Sequence, residues 1–225
     1  MKTILVVGGS SGIGKAIIEA LKDTHKIINF SRNKIECNTN TTHYSLDVLN
    51  GELPDLKVLD GLVYCPGSIN LKPISRLKLD DFREDFEINV ISAVRIIQKY
   101  INLLKENNGS VLLFSTVATK MGMPFHASVS ASKSAVEGLA KSLAAEYATK
   151  VRFNVIAPTI TNTPLASRLL RNEKQKEIMK ERHPLKTYLE ASEVASLALY
   201  LLSNQSKSIS GQVFPIDGGL ISLKL

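Results

Sequence analysis

Seven residues near the start of the chain, Gly8-Gly9-Ser10-Ser11-Gly12-Ile13-Gly14, have the types and spacing to hold a pyrophosphate. They follow directly on the apolar run Thr3–Val7 and lead into Lys15-Ala16-Ile17-Ile18-Glu19-Ala20-Leu21. Glycines let the backbone turn sharply and approach a phosphate. The helix start behind them presents free N–H groups and the positive end of a helix dipole. The chemistry implied is dinucleotide binding, and the competing reading is a glycine-rich turn that only packs. The end of the second apolar run selects between dinucleotides. Asn29-Phe30-Ser31-Arg32-Asn33 carries no acid for a ribose 2′-hydroxyl, while Arg32 offers a fork to a 2′-phosphate, with Lys34 as a second cation. Ser31 and Arg32 are the expected contacts, and NADP(H) is favoured over NAD(H).

A further polar candidate lies on an apolar stripe. Phe82, Phe86, Ala93, Ile97 and Tyr100 share one face of a helix expected over Asp80–Glu106, and Asn89 falls on that face. A buried amide there needs partners, either a functional group or the local backbone.

These residues require a particular scaffold. Short apolar runs at Thr3–Val7, Lys26–Phe30, His43–Leu46, Gly61–Cys65, Ser110–Ser115, Val151–Ile156 and Gln212–Ile216 read as buried parallel strands. Helical patterning covers Lys15–Lys22, Asp80–Glu106, about Ser130–Ala148, Pro164–Lys180 and Ser192–Leu202. Alternation of this kind predicts an α/β fold, a doubly wound seven-stranded parallel sheet of the Rossmann type, as a single domain over residues 1–225. Two crossovers are thin. Ser31–Thr42 is rich in Asn and Thr, and Asn50–Asp60 is interrupted by Gly51 and Pro54, so helices there are expected to be short or missing.

The 225 residues are 44% hydrophobic, enough for a large core. No apolar run reaches the ~18 residues needed to span a bilayer, and the short N-terminal run reads as a strand rather than a signal peptide. A cytoplasmic protein without a membrane segment is expected. Cys37 and Cys65 read as free thiols in a reducing compartment. The net charge of +7 is scattered, without basic runs interleaved with aromatics. Nucleic-acid binding is therefore the weakest reading. No Cys/His spacing suits zinc, and no metal is expected.

The glycine turn, the segment Ala131-Ser132-Lys133 with Gly138-Leu139 beyond it, and the terminal Gly211-Gln212-Val213-Phe214-Pro215-Ile216-Asp217-Gly218-Gly219 together resemble the short-chain dehydrogenase/reductase family, nearly end to end. The resemblance implies a homodimer or homotetramer acting on a small-molecule substrate. It also implies roles for single positions. Asp47-Val48 corresponds to the pair beside the adenine. Gly67 is the one match in Tyr64-Cys65-Pro66-Gly67 to the family's Asn-Asn-Ala-Gly. Asn89 corresponds to the catalytic asparagine. Thr116 stands where the family has its catalytic serine, with Ser115 as the alternative one register back. Lys133 corresponds to the lysine that binds the nicotinamide ribose, and Thr163 to the threonine that binds the carboxamide. Thr163 is also a suitable N-cap with Pro164 following.

Four residues before Lys133 the family has its proton-donating tyrosine, and this chain has Val129. Three groups are candidates to replace it: Lys133 itself, Thr116 with a water, and His126, an imidazole three residues before Val129 that suits proton exchange near neutral pH. His183, before Pro184, is given no role. The segment Pro164–Pro184 is expected to cover the substrate. Two functions follow: an NADP-dependent oxidoreductase with an altered proton donor, or a cofactor-binding homologue without turnover that acts as sensor, scaffold or partner subunit.

Overall fold

The computed structural model describes residues 1–224. Its centre is a seven-stranded, all-parallel sheet built from β1 (Thr3–Val7), β2 (Lys26–Ser31), β3 (Thr41–Ser45), β4 (Gly61–Tyr64), β5 (Ser110–Phe114), β6 (Arg152–Pro158) and, after two short strands, β9 (Val213–Ile216). The strand order is β3-β2-β1-β4-β5-β6-β9. The chain winds outward from β1 in both directions, so Val7 pairs with Phe30 on one side and Tyr64 on the other. The order reverses between β1 and β4, which opens a crevice beyond the carboxyl ends of these strands.

Strand alternation divides the core. Ile4 and Val6 point to the face covered by α1 (Gly12–Leu21) and α6 (Ala191–Leu202), where they meet Ile17, Ile18, Leu21, Val194 and Leu201. Leu5 and Val7 point to the opposite face, against Ile96, Tyr100 and Leu104 of α3 (Ser92–Glu106) and Val136 and Ala140 of α4 (Ala127–Glu146). Burial of each such side chain contributes about 1.5–3 kcal/mol.

The expected strands are all present, with ends shifted by a residue or two. The thin crossovers contain no helix. Instead α3 ties one of them down: Arg95 donates to the carbonyls of Val48 (2.8 Å) and Gly51 (2.5 Å), and the Tyr100 hydroxyl donates to that of Pro54 (2.7 Å). Two helical expectations need correction. The long helix over Asp80–Glu106 is α2 (Leu79–Phe86), a π turn (Glu87–Ile91) and then α3. The wider turn is held by the Tyr64 hydroxyl, which donates to the Ile88 carbonyl at 2.7 Å, and by the Ser92 hydroxyl, which donates to Glu87 at 2.8 Å. The helix expected over Pro164–Lys180 is a 3-10 turn (Pro164–Ala166), a loop, and α5 (Glu173–Glu181), which starts where the Asn172 side chain accepts from the Gln175 N–H at 2.9 Å. The neck of this segment is closed by parallel pairing of β7 (Thr161–Asn162) with β8 (Leu189–Glu190). Among the described residues no helix is long and apolar enough to cross a membrane.

Candidate functional site

The glycine turn lies between β1 and α1, at the crevice. Gly12 has φ +55, a conformation that L side chains rarely adopt. A Cβ on Gly14 would stand 2.4 Å from the Gly8 carbonyl oxygen, so only glycine lets the helix start this close to the strand end. Ser10, Ser11 and Ile13 lie within this turn and its entry into α1. The turn is pinned by Asn29, a residue that sequence reasoning did not single out. Its side chain is buried, accepts from the Gly9 N–H at 3.0 Å and donates to the Ser31 hydroxyl at 2.9 Å. The Ser31 hydroxyl in turn donates to the Asn33 carbonyl at 2.8 Å, so Ser31 shapes the loop that carries Arg32. Arg32 is exposed at the end of β2 and takes part in no ion pair among the described residues. Asp47 is half-buried and accepts from the Leu49 N–H at 3.0 Å, beside buried Val48.

Deeper in the crevice the polar residues converge. Lys133, on α4, is buried and its Nζ donates to the Phe114 carbonyl at 2.9 Å. Burial pulls the amine down to about 8, against the opposing pull of Cys65 and Asp85. Cys65 is a packed thiol pushed up to about 12 by burial, not a reactive one. Asn89 sits in the π turn, a single-turn irregularity often found at functional sites. Its Nδ2 donates to Ser132 (3.1 Å) and Ser68 (3.4 Å), while its buried Oδ1 has no partner among the described residues. A Cβ on Gly67 would lie 3.2 Å from that Oδ1 and 3.3 Å from Lys133 Nζ. Gly67 therefore leaves room between an unsatisfied acceptor and an amine.

Thr116 and Ser115 have different surroundings. The Ser115 hydroxyl donates to Glu137 Oε1 at 2.6 Å, and the same carboxylate accepts from Thr119 and pairs with Lys120. Burial alone would raise the Glu137 carboxyl, but the Ser115, Thr119 and Lys120 contacts outweigh it and hold the group low. Thr116 Oγ accepts only a 3.3 Å bond from the Ala118 N–H, which leaves its proton free for the crevice. Thr163 stands at the N-cap of the 3-10 turn with Pro164 following, but its side chain makes no capping hydrogen bond. Its hydroxyl donates to the Thr161 carbonyl at 3.3 Å, and its side chain lies 3.3 Å from where a Cβ on Gly12 would stand, which brings it to the glycine turn.

A cavity of about 260 Å³ runs from these groups beneath the 164–184 segment. Thr116, Val129, Lys133, Thr163 and His126 all line it, with Leu165, Leu169 and Met179 supplied by the covering segment. His126 is half-buried, with Nδ1 2.7 Å from the Pro124 carbonyl. Val129 is 5% exposed and presents only methyl groups. Two residues without an expected role also belong here. Asp85 is fully buried under Asn89 and accepts from Ser68, from Asn70 at 2.9 Å and from Ser128 at 2.5 Å. Its position four residues before Asn89, on the same helix face, was the available signal. His183 is buried in the cavity wall, 2.8 Å from Thr159 Oγ1.

Residues 35–221 match the family model described as enoyl-(acyl carrier protein) reductase. A tropinone reductase homolog of Arabidopsis thaliana is 31% identical over 242 residues, which cover 97% of this chain and 91% of that protein. The chain belongs to the short-chain dehydrogenase/reductase family. The 3-oxoacyl-(acyl-carrier-protein) reductase FabG of Rickettsia felis is 29% identical, with 98% of this chain and 97% of that one covered. The solved structure of an ElxO variant with NADPH bound superposes with a TM-score of 0.87 at 25% identity, over 99% of each chain. In this short-chain dehydrogenase/reductase one cavity joins the crevice at the glycine turn to the space beneath residues 164–184. Ile13 and Thr163 line it at the glycine turn, and Met179 and Leu169 line it under the covering segment.

Proposed function

We propose that this chain is an NADP(H)-dependent oxidoreductase that interconverts a carbonyl compound and an alcohol without the family's tyrosine donor. The observation that carries the proposal is the meeting of Lys133, Thr116 and Asn89 in one crevice, directly beyond a glycine turn built to receive phosphate. The residues present fit a nicotinamide dinucleotide. The glycines bring the start of α1 close against the end of β1, where its N–H groups can meet a pyrophosphate. Arg32 has no ion-pair partner among the described residues and can fork a 2′-phosphate, and Asn89 Oδ1 is an unmet buried acceptor among them. Its superposition on a NADPH-bound relative supports the same reading.

When bound, the cofactor supplies or accepts a hydride. Asp47 and Val48 flank the adenine, Ser31 and Arg32 hold the ribose phosphate, and Gly8, Ser10, Ser11, Gly12, Ile13 and Gly14 receive the pyrophosphate. Lys133 holds the nicotinamide ribose, Thr163 the carboxamide, and Gly67 leaves space beside them. Thr116 donates its free hydroxyl proton toward the substrate oxygen, where developing negative charge is strongly stabilised by a preorganised donor. Lys133 and His126 line the same cavity and are candidates for the proton the missing tyrosine would give. The protein works as a homodimer or homotetramer in the cytoplasm, with no nucleic-acid or membrane partner.

Val129 favours a second reading, a cofactor-binding homologue without turnover, because methyl groups face the cavity where the family has a phenol. Titration with NADPH and NADH, followed by a panel of carbonyls on the wild type and on Val129→Tyr, separates the two. Turnover by the wild type supports the enzyme. Binding with turnover only in Val129→Tyr supports the second reading. Absence of binding to either nucleotide rejects both.

A further inference from the structure

The cavity contains a hydroxyl and an imidazole already joined. Thr159 follows the last residue of β6, and its Oγ1 lies 2.8 Å from His183 Nε2. The other ring nitrogen, His183 Nδ1, lies 2.7 Å from the Met179 carbonyl in the last turn of α5. A carbonyl only accepts, so Nδ1 carries hydrogen in either charge state of the ring. The remaining nitrogen, Nε2, is the one that gains and loses a proton, and it is aimed at Thr159. Both residues line the cavity that holds Val129, Thr116 and Lys133.

The geometry points to Thr159, backed by His183, as the residue that exchanges the substrate's proton in this cavity. This inference rests on the oxidoreductase reading above. In reduction, a hydride from the reduced nicotinamide adds to the carbonyl carbon, and the carbonyl π pair moves onto oxygen. That oxygen takes the hydroxyl proton of Thr159. Thr159 Oγ takes the proton of His183 Nε2, which leaves a neutral ring with Nδ1–H still on Met179. In oxidation each transfer reverses: the alcohol proton passes to Thr159, the Thr159 proton passes to Nε2, and hydride leaves to the oxidised nicotinamide. A base oriented by a third group and bonded to a hydroxyl is the general arrangement for activating that hydroxyl. Thr159 is the catalytic residue here, and His183 acts through it as the positioning residue and proton store.

The other groups are less suited. Lys133 Nζ already donates to the Phe114 carbonyl and faces the nicotinamide ribose in the reading above, and Thr116 has no titratable partner among the described residues to replenish its proton. His126 sits half-buried at a rim shared with a neighbouring groove lined by Pro124 and Phe125. His183 is 2% exposed, so its proton leaves through Thr159 rather than directly to solvent. The charged groups around it are few. Arg182 lies next to it in the same wall, and the exposed Glu181–Lys186 pair flanks it in sequence. Asp217 precedes Gly218, which packs on the His183 ring, but its carboxylate is held by the Gly219 and Ile221 N–H groups at 2.9 Å.

The test uses the intact protein, NADPH, and benzil, isatin and ethyl acetoacetate as carbonyl probes. Rates are measured across pH for the wild type, Thr159→Val, Thr159→Ser and His183→Gln, with NADPH affinity and the nitrogen-15 NMR titration of the His183 ring recorded alongside. The expected result is a wild-type kcat that follows the His183 titration. Thr159→Val lowers kcat roughly a hundredfold with NADPH affinity unchanged, the size expected for lost general acid–base catalysis. Thr159→Ser restores both rate and pH profile, and His183→Gln flattens the profile. Thr159→Val with wild-type kcat and pH dependence overturns the inference. A wild type that binds NADPH and reduces none of the probes rejects the oxidoreductase reading in favour of the cofactor-binding homologue, and the inference falls with it. A wild type that binds no nicotinamide dinucleotide rejects the underlying oxidoreductase reading, and the inference falls with it.

Discussion

The Ser128 hydroxyl donates to Asp85 Oδ2 at 2.5 Å, joining the first turn of α4 to the last turn of α2. With Ser68 and Asn70 on its other oxygen, the buried carboxylate is fully committed. Ser68 also accepts from Asn89, so Asp85 holds the floor on which Asn89 rests. Removing one side of such a network leaves the other side unpaired in the interior. Asp85→Ala is expected to lose about 3 kcal/mol of stability, and Ser128→Ala about 1–2 kcal/mol, in urea unfolding. A loss below about 0.5 kcal/mol in Asp85→Ala, the range of ordinary surface changes, contradicts this role.

Lys133 gives a pH prediction whose sign is fixed by burial. Its amine titrates at about 8 in the folded chain, below the ordinary 10.5. Between these values the unfolded chain binds more protons than the folded one, so stability rises with pH across that window. The full effect is on the order of 3 kcal/mol. Lys133→Met, uncharged and of similar length, removes that gain. Unfolding curves at about pH 7 and about pH 10 measure it, and equal pH slopes in the two proteins contradict the buried, charged lysine. The same titration predicts that NADPH affinity weakens as pH rises through about 8, where Lys133 loses its charge.

Gly14→Ala tests the turn. The added Cβ would meet the Gly8 carbonyl oxygen at 2.4 Å, so strand end and helix start must separate. Overpacking of this kind costs about 1–3 kcal/mol, and the displaced N–H groups lose their aim at a phosphate. The expected outcome is at least a tenfold loss of NADPH affinity in a chain that still folds, read by fluorescence titration and circular dichroism. Unchanged affinity contradicts a close approach of phosphate to this turn.

Local patterns carried much of the architecture. Buried parallel strands such as Ser110–Phe114 are continuous apolar runs, which no neighbouring element disguises. The missing crossover helices showed as Asn-, Thr-, Gly- and Pro-containing segments with no helical period. The break at Glu87–Ile91 left no such mark, because its residues suit a helix and the π turn is set by Tyr64 and Ser92 reaching its carbonyls. The site divides in the same way. Asn89 stood out as an amide on an apolar stripe. Asp85, four residues away on the same face, was legible by that logic but shows its importance only through Ser68, Asn70 and Ser128, which are 17, 15 and 43 residues distant. Thr159 and His183 are 24 residues apart and meet because the chain beyond His183 returns to pair β8 with β7, next to Thr159, a closure no local pattern announces.

The proposed nicotinamide site discriminates by the 2′-phosphate, and Arg32 is its exposed fork, without an ion pair among the described residues. The most direct measurement is paired titration of NADPH and NADH against the wild type and Arg32→Ala. The wild type is expected to bind NADPH at least tenfold more tightly than NADH. Arg32→Ala is expected to remove most of that preference while leaving NADH affinity unchanged, since a charge-assisted hydrogen bond contributes about 1.5–3 kcal/mol. Equal wild-type affinities, or binding of neither nucleotide, would contradict the proposed site.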